Sequence, residues 1–582
     1  MKRNCIYATM FLVATAASLT VFAQDDPKGE YNEQVIVTGS YRPEIDDAVK
    51  INIPPVMADT STTLEHKFSY TVTPRRLTSL YEPARIKAAR IVGEPTTKLY
   101  HNYFRLGFGN YWTPLAEAYY NSLRDKKLTY GAAVTHRSSW GKLPDYGPDH
   151  YSLTTVSVFG KYIFKEKLQF SSDISYSNDY NLYYGFTDDT LASALNRTRS
   201  DIKTSDYRIA YNYIYWNAGL KNLELDKGKL GYAANIRLAD LWATYAQNEL
   251  NLNLSGDVNY GFTVLGRHKG VAFLHIEWDA YKNGFRPDAN ATMPLGYNGV
   301  AVDTVRGVRN IVKVNPYADF MFRGLQFHAG VTAGWDAFTS NTVIFRFFPD
   351  VVVSKSLLNE SLVVSLGATG GMDANSWNTI RLVNPYIAPN AELRATRHYD
   401  FVAHARWMLS KKLEVKAAAE YSLLRDDLSF CLNNDNALHN VYNTYYFDNN
   451  RLKVGADVTF VNDEMIKATL GGNYYTYSLI ADDAYLQYRP DFDVHIGLEL
   501  NYNFKWIFHL GSVLLGSMRD EVADQTMPFR YGINAEIEYR HNRALSFFLR
   551  VDNLACQRYM LWANYPSQRG IFIAGLTYTL PK

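Results

Sequence analysis

The segment FDVHIGLELNYNF, residues 492–504, alternates along its whole length between apolar side chains and polar or small ones. Successive side chains of a β-strand point to opposite faces of the sheet, so a strand repeats every two residues. The apolar positions are Phe492, Val494, Ile496, Leu498, Leu500, Tyr502 and Phe504. This period of two predicts a strand with one apolar face and one polar face.

The same alternation recurs at Leu413–Leu423, Arg451–Phe460, Tyr531–Arg540 and Ala544–Val551. Such segments reach roughly 10–13 residues, whereas strands of soluble proteins are usually about 5–6 residues long. A tilted strand needs about 9–11 residues to cross a bilayer. The lengths favour an all-β fold, a transmembrane antiparallel β-barrel, over a soluble sandwich, which would need shorter strands and evenly short turns.

The connections between these segments alternate between short and long. The short ones are Ser410–Lys412, Val461–Met465, Phe504–Trp506 and Arg540–Arg543, and the long ones are Asp427–Asn449, Leu479–Gln487, Met518–Phe529 and Leu561–Gln568. Outer-membrane barrels have short periplasmic turns and long outside loops, so we expect the short connections to be periplasmic. Further outside loops are predicted at Asn178–Ser205, Phe285–Val308 and Asp373–Arg397.

Extending this pattern back to Tyr100 gives about 22 strands, within a range of roughly 18–24, for a barrel domain at residues 98–582. An even number of strands places both ends of the barrel on the periplasmic side. The predicted location is therefore the cell outer membrane, with outer-membrane lipid around the barrel.

Alternation also predicts which charged side chains face the lumen. They are Glu414, Lys416, Glu420, Arg451, Lys453, Asp457, Asp493, His495, Glu499, Glu536, Glu538, Arg540, Arg550 and Asp552. The favoured interpretation is a solvated wall on which opposite charges pair. The alternative is a surface that holds a plug-like segment or a polar solute. The mixed signs argue against a strongly ion-selective pore.

The N-terminal region lacks this alternation. Residues 1–23 are predicted to be a signal peptide, with Lys2 and Arg3 before the apolar run Tyr7–Phe22 and a small-residue cleavage site at Val21-Phe22-Ala23. Residues 24–97 form an extended segment with prolines at positions 43, 54, 55, 74, 83 and 95. Its many apolar side chains favour a segment laid against a surface over a disordered linker.

Composition excludes several classes of protein. The net charge of +2 provides no electrostatic footprint for nucleic acid. After the signal peptide no run of 18 apolar residues occurs, so no transmembrane helix is predicted. Only Cys431 and Cys556 remain in the mature chain, as one bridge or as two free thiols, which excludes a disulfide framework.

Two regions carry a resemblance to a known family. The segment EQVIVTG, Glu33–Gly39, resembles the TonB box of TonB-dependent receptors, and the C-terminal run from Arg530 to Leu580 is similar to their last three strands. In that run Asp552-Asn553-Leu554, followed by Tyr559 and by Tyr565-Pro566, is similar to the final hairpin of the family. The resemblance implies that TonB is contacted by Glu33, Gln34, Val35, Ile36, Val37 and Thr38.

The sequence departs from this family in two places. Receptors of the family carry a globular plug of more than a hundred residues, whereas here about 60 residues separate Gly39 from the first strand, a span of some 200 Å if extended. The chain also ends on Pro581-Lys582, where the family usually ends on an aromatic residue. We therefore expect a short relative without a globular plug domain, in which residues 40–97 lie inside the barrel.

No catalytic motif is apparent. Gly-x-Ser-x-Gly, His-Glu-x-x-His and Cys-x-x-Cys are absent, and the histidines lack metal-ligand spacing, so we predict no enzyme, no metal site and no cofactor. Asn433–Asn436 with Asp448 is interpreted as a polar outside loop rather than a calcium site. The aromatic stretches Asp179–Gly185 and Tyr442–Phe447 are interpreted as part of the interfacial girdle rather than as a sugar-binding surface.

Two functional hypotheses remain. In the first, the barrel admits a nutrient across the outer membrane with TonB engaged through Glu33–Gly39. In the second, the barrel is sealed by its own N-terminal segment and is a component of an outer-membrane assembly, with a lipoprotein or another assembly partner. The TonB box and the family resemblance favour the first hypothesis, and the missing plug favours the second.

Overall fold

The computed structural model describes residues 100–580, except residues 124, 224–229, 246, 265–267, 286–293, 297–304, 339–341, 434–435, 464, 482–485 and 521–524. The predicted signal peptide and the extended segment at 24–97 therefore lie outside the described residues. In the described part, no helix is both long and apolar enough to cross a membrane.

Twenty-two strands form one antiparallel sheet, and we number them β1 to β22 in chain order. They are Asn102–Gly109, Thr113–Asn121, Leu128–Ser139, Tyr151–Phe164, Leu168–Leu182, Arg208–Asn222, Leu230–Ala243, Gln247–Val264, His268–Phe285, Val305–Phe322, Leu325–Phe338, Thr342–Leu357, Leu362–Ala374, Ala395–Ser410, Leu413–Leu432, Tyr442–Asn462, Ile466–Leu479, Phe492–Tyr502, Trp506–Leu515, Arg530–Arg540, Leu545–Asp552 and Ile571–Tyr578. Each strand pairs with the next one in the chain.

The sheet closes on itself, because β1 also pairs with β22. This last register runs from Phe104 opposite Tyr578 to Gly109 opposite Ile573. A closed barrel leaves no unpaired strand edge, which is what a sheet in lipid requires. The predicted fold class and the predicted number of 22 strands are confirmed.

The two rims of the barrel differ in the length of their connections. One rim carries only short connections, at residues 122–127, 165–167, 223–229, 265–267, 323–324, 358–361, 411–412, 463–465, 503–505 and 541–544. The other rim carries the longest ones, at residues 183–207, 286–304, 375–394 and 553–570, although its connections at 110–112, 244–246 and 339–341 are short. We call these the short-turn rim and the long-loop rim.

One predicted loop is much shorter than expected. The sequence indicated a loop at Asp427–Asn449, whereas β15 continues to Leu432 and β16 begins at Tyr442. A β-bulge between Leu424 and Asp427 shifts the register, so the regular alternation breaks there although the strand continues. The hairpin of β15 and β16 is therefore unusually long and extends the long-loop rim.

The two faces of the sheet differ as the alternation predicted. In β18, Phe492 and Ile496 are 38% and 39% exposed, whereas the intervening Asp493 is 3% exposed. Exposed apolar side chains recur on alternate positions in β4, β8 and β22, for example Val156, Leu250 and Phe572. An apolar outer face on a closed barrel matches a lipid environment, so the protein is an outer-membrane barrel.

Candidate functional site: a loop cap on the long-loop rim

Loops of the long-loop rim pack into one hydrophobic cluster, which we call the cap. The cap contains described residues from the connections at 140–150, 183–207, 375–394, 433–441, 480–491, 516–529 and 553–570, together with the adjoining strand ends. Its fully buried members include Tyr183, Leu191, Ile380, Ile387, Val441, Tyr442 and Tyr565. A cluster of this size gives the loops a fixed arrangement of their own.

Two short helices order the longest described loops. Helix α1, Asp188–Leu195, begins after Thr187, whose side chain accepts a hydrogen bond from the Thr190 amide, and ends at Asn196 in the left-handed region. Helix α2, Trp377–Val383, begins after Ser376, which accepts from the Thr379 amide. These hydrogen bonds at the helix N-termini explain why the loops at 183–207 and 375–394 contain helical turns.

Contacts of the Tyr183 backbone and side chain cross the barrel mouth. The Tyr183 hydroxyl donates to the Ile387 carbonyl at 2.8 Å, and the Asn440 amide donates to the Tyr183 carbonyl at 2.7 Å. Tyr183 follows β5, whereas Asn440 lies between β15 and β16, nearly half of the ring away. Loops this far apart on the rim meet only over the opening.

A second set of contacts joins the loop at 375–394 to the C-terminal loop at 553–570. The rings of Tyr386 and Tyr565 stack with centroids 3.7 Å apart. Ile387 forms a parallel β-bridge with Tyr442, whose hydroxyl donates to the Ala563 carbonyl at 2.7 Å. The Tyr565 hydroxyl donates to the Asn440 carbonyl. Tyrosine rings thus supply both the packing and the hydrogen bonds of the cap.

Burial keeps these tyrosines protonated. It raises the pKa of Tyr183, Tyr184 and Tyr565 well above the ordinary value of a phenol. The hydroxyls therefore remain hydrogen-bond donors at any physiological pH. The Tyr184 hydroxyl donates to the Pro566 carbonyl at 2.9 Å, which adds a further contact to the C-terminal loop.

Helix α2 is held to the barrel wall by buried ionisable side chains. Glu249 of β8 accepts hydrogen bonds from the Trp377 amide at 2.7 Å and the Asn378 amide at 3.3 Å. Arg381 lies 3.5 Å from Asp179 of β5. Glu249, Arg381 and Asp179 are 3%, 2% and 1% exposed. The helix is therefore docked against strands far from β13 and β14, which carry its loop.

Aromatic rings of β6 complete this docking site. The Arg381 guanidinium lies 5.6 Å from the ring centroid of Tyr211 and 5.5 Å from that of Tyr213. The alternate residues Ile214 and Trp216 are exposed on the outer face. Helix α2 consequently packs against the inner face of the wall, inside the mouth of the barrel.

A cleft of about 270 Å³ lies on the cap between the loops that contain Tyr146, Phe186 and Asn564. Its polar groups engage one another: Thr187 bonds Thr190, and the Asn564 amide donates to the His439 carbonyl at 3.0 Å. Among the described residues no group of three or more His, Cys, Asp or Glu side chains is arranged to hold a metal ion. The two cysteines of the described part, Cys431 and Cys556, are free.

Several residues that were predicted to face the lumen form ion pairs. Arg451 donates to Glu420 at 2.7 Å, and Lys416 lies 3.5 Å from Glu414, which also accepts from Arg406. Lys453 is buried and lies opposite Glu420 in the register of β15 and β16. These pairs have the form expected of a wall on which opposite charges alternate.

The predicted residues of β18 make different contacts. His495 lies 2.9 Å from Asp457, and Asp493 accepts from the Tyr475 hydroxyl at 2.6 Å. Glu499 is exposed and lies opposite Lys467 and His509 in the register of the neighbouring strands.

The predicted residues of β20 and β21 join a network that reaches the closing seam. Arg105 of β1 donates to Glu536 of β20 at 2.7 Å, and Glu536 lies 3.6 Å from Arg550, which donates to Asp552 at 2.9 Å. Asp552 also accepts from Arg137 of β3 at 2.6 Å. These contacts pass over the intervening strands.

Two further predicted residues lie outside this network: Glu538 and Arg540 pair with each other along β20 at 3.5 Å. The TonB-contacting residues Glu33, Gln34, Val35, Ile36, Val37 and Thr38 lie outside the described residues, and their role stays a prediction.

Sequence reasoning missed the residues that build the cap. Tyr183, Tyr184 and Tyr442 belong to stretches interpreted as interfacial girdle, yet they are 0%, 5% and 0% exposed, so that interpretation is wrong for them. Glu249, Arg381 and Asp179 carry no motif.

Sequence comparisons identify no relative: no family model matches the chain, and no curated protein matches it. Solved structures do match in fold. The siderophore receptor PirA from Acinetobacter baumannii has a TM-score of 0.61 and 10% identity, and the match covers 84% of this chain and 81% of that one. The FrpB iron transporter from Neisseria meningitidis has a TM-score of 0.61 and 9% identity, with coverage of 83% and 82%.

The ferric-catecholate import receptor Fiu from E. coli K12 has a TM-score of 0.58 and 11% identity, with coverage of 83% and 82%. At these identities the likeness establishes the fold and not a shared ligand. The chain is therefore similar in architecture to outer-membrane import receptors, and it has the closed 22-stranded barrel of that fold.

Proposed function

We propose that this protein is an uptake barrel that admits a nutrient across the outer membrane and engages TonB through Glu33–Thr38. The observation that carries the proposal is the closed 22-stranded barrel, which is shared over four fifths of the chain with solved import receptors. A barrel of this size encloses a lumen wide enough for a solute or a plug. No catalytic constellation competes with this function in the sequence.

The charged wall supports the same proposal. Arg105 reaches Glu536 across β22 and β21, and Arg137 reaches Asp552 across β22, β1 and β2. Side chains that bridge non-adjacent strands of a closed barrel meet on its concave side, so we infer that these residues, and the predicted polar set with them, line the lumen. Such a lining is polar and solvated, as passage of a hydrophilic nutrient requires.

The TonB contact is tested by strand-breaking substitutions. An extended segment binds by adding a strand to a partner's sheet edge, and proline removes the amide donor that this pairing needs. We expect Val35→Pro and Val37→Pro to abolish binding of the purified protein to purified TonB, with barrel insertion intact. Glu30→Pro, outside the TonB box, is the control and should bind normally. Absence of binding by the unmodified protein would refute TonB engagement.

The second candidate function is a self-sealed barrel that is a component of an outer-membrane assembly with a lipoprotein or another partner. The cap favours it, because loops that meet over the mouth restrict passage. We retain the expectation that no globular plug precedes the barrel and that residues 40–97 take its place. Co-purification with an outer-membrane partner, together with absence of nutrient-dependent uptake in the intact strain, would favour this candidate over the first.

A further inference from the structure

We propose that the loop at 375–394, which we call the stopper, is a movable gate, and that Arg381 and Glu249 form the latch that holds it shut. The inference rests on the proposed uptake function, because an uptake barrel has to open at its outer mouth. It differs from the expectation that the N-terminal segment alone seals the barrel. It assigns part of the seal to the long-loop rim.

The stopper has the construction of a segment that moves as one unit. Asn375 at its start donates to the Arg394 carbonyl at 2.7 Å and to the Thr396 hydroxyl at 2.9 Å. The two ends are thus tied together where β13 and β14 leave the wall. Loops with closely spaced, fixed ends and internal packing swing on their ends without unfolding the strands.

The latch consists of the contacts that helix α2 makes with the barrel wall. Glu249 accepts from two amides at the start of α2, and Arg381 at the other end of the helix pairs with Asp179. Buried charges are stable only when they are paired and hydrogen-bonded. Removal of Arg381 leaves Asp179 as an uncompensated buried charge, and removal of Glu249 leaves the Trp377 and Asn378 amides without their acceptor. Outward movement of the helix would return these groups to water.

The stopper also contacts loops from around the mouth. Tyr386 stacks on Tyr565, and Ile387 contacts both Tyr183 and Tyr442. The hydrogen bonds among these contacts are neutral, and water or a polar ligand can replace them at modest cost. The stopper is therefore held by the latch on the wall, by replaceable hydrogen bonds and by buried aromatic packing against the neighbouring loops.

The first test measures ion conductance of the full mature protein in a planar lipid bilayer. We expect the unmodified protein to be closed for most of the time, and Arg381→Ala and Glu249→Ala to raise the open fraction at least tenfold. Arg394→Ala is the matched control, since Arg394 is in the same loop but is about half exposed and pairs with exposed Glu392. Heat-modifiable migration on gels verifies that each variant forms a barrel.

The second test locks the stopper. In a background with Cys431→Ser and Cys556→Ser, the pair Ile387→Cys and Tyr442→Cys places thiols at bridged positions, within reach of a disulfide. We expect the oxidised protein to be closed and the same channels to open when dithiothreitol is added. Each single-cysteine variant should not respond to dithiothreitol.

The outcomes separate this inference from the proposed function. High conductance of the unmodified protein, or conductance indifferent to both the latch variants and the disulfide, overturns the gate, whatever the result of the TonB-binding test. A working gate in a protein that neither binds TonB nor supports uptake overturns the proposed function and retains the gate.

Discussion

The rings of Tyr386 and Tyr565 stack in the centre of the cap, with centroids 3.7 Å apart and planes 14° apart. The two residues belong to the loops between β13 and β14 and between β21 and β22, so their contact joins separate arcs of the rim. Both are also close to Tyr184, whose ring meets each of them edge-on. We expect the cap to be most sensitive to substitution at this three-ring cluster.

Removal of the Tyr386 ring should loosen the cap without affecting the barrel. Truncation of a buried aromatic side chain to alanine costs about 3–5 kcal/mol. We expect Tyr386→Ala to raise hydrogen exchange of the loops at 375–394 and 553–570, and Tyr386→Phe to raise it much less because the ring remains. Equal hydrogen exchange in the unmodified protein, Tyr386→Ala and Tyr386→Phe would contradict a stacking role for Tyr386.

Closure of the barrel depends on a glycine at the seam between β1 and β22. A Cβ atom added to Gly575 would lie 2.2 Å from the Leu106 carbonyl oxygen, whereas one added to Gly511 would meet nothing within 4 Å. Backbone atoms cannot give way as a flexible side chain does, so Gly575→Ala should slow or destabilise folding, and Gly511→Ala should not. The fraction of heat-modifiable barrel after refolding into detergent measures this. Equal yields of barrel from Gly575→Ala and Gly511→Ala would show that the backbone at the seam can move to accommodate a Cβ atom.

The assignment of the two faces predicts opposite tolerance at neighbouring positions. Leu498→Arg places a charge toward lipid near the middle of β18 and should lower the free energy of unfolding by about 2–4 kcal/mol. Glu499→Arg alters the polar face and should cost much less. Urea unfolding of the barrel in lipid vesicles measures the free energy of unfolding of both variants. Similar losses from both substitutions would refute the assignment.

Orientation in the membrane is tested by epitope labelling on intact cells. An epitope inserted in the loop at 183–207 should be labelled, since this loop lies on the long-loop rim. An epitope in the turn at 411–412 should be labelled only after permeabilisation. Labelling of the short turn on intact cells would reverse the orientation.

The cap should weaken as the pH rises through about 6, because of Asp149. Burial raises the pKa of this carboxyl group from an ordinary 3.8 to about 6. The protonated form is therefore favoured in the folded cap, and its stabilisation is complete below about pH 4 and lost as the pH rises through about 6. The shift of about two units corresponds to up to about 3 kcal/mol.

The comparison that isolates Asp149 is Asp149→Asn, which stays neutral at every pH. Burial lowers the pKa of the adjacent His150, which acts in the opposite direction, so the pH dependence of the unmodified protein alone would mix the two groups. Hydrogen exchange of the cap, corrected for its intrinsic pH dependence, should show less protection at about pH 7 than at about pH 4.5 in the unmodified protein. The difference should be smaller in Asp149→Asn.

The sequence by itself determined the barrel. In segments such as Phe492–Phe504 and Tyr531–Arg540, strict alternation predicts the two faces of each strand. Their length matches that of a strand that crosses a membrane. Closure then follows because an open edge cannot persist in lipid. The number of strands and the alternation of short and long connections were accessible for the same reason. The exception at Asp427–Asn449 arose where a β-bulge interrupts the alternation.

Only the tertiary structure decided what the long loops do. Tyr183, Tyr386, Asn440 and Tyr565 are separated by long stretches of chain, and no local period marks them as neighbours. They meet because closure of the barrel brings the ends of distant strands to one rim, where their loops can bury aromatic surface only against each other. The latch has the same origin: Asp179 and Glu249 lie near strand ends and Arg381 lies in a loop, and their contacts with α2 or with the wall exist only once α2 docks there.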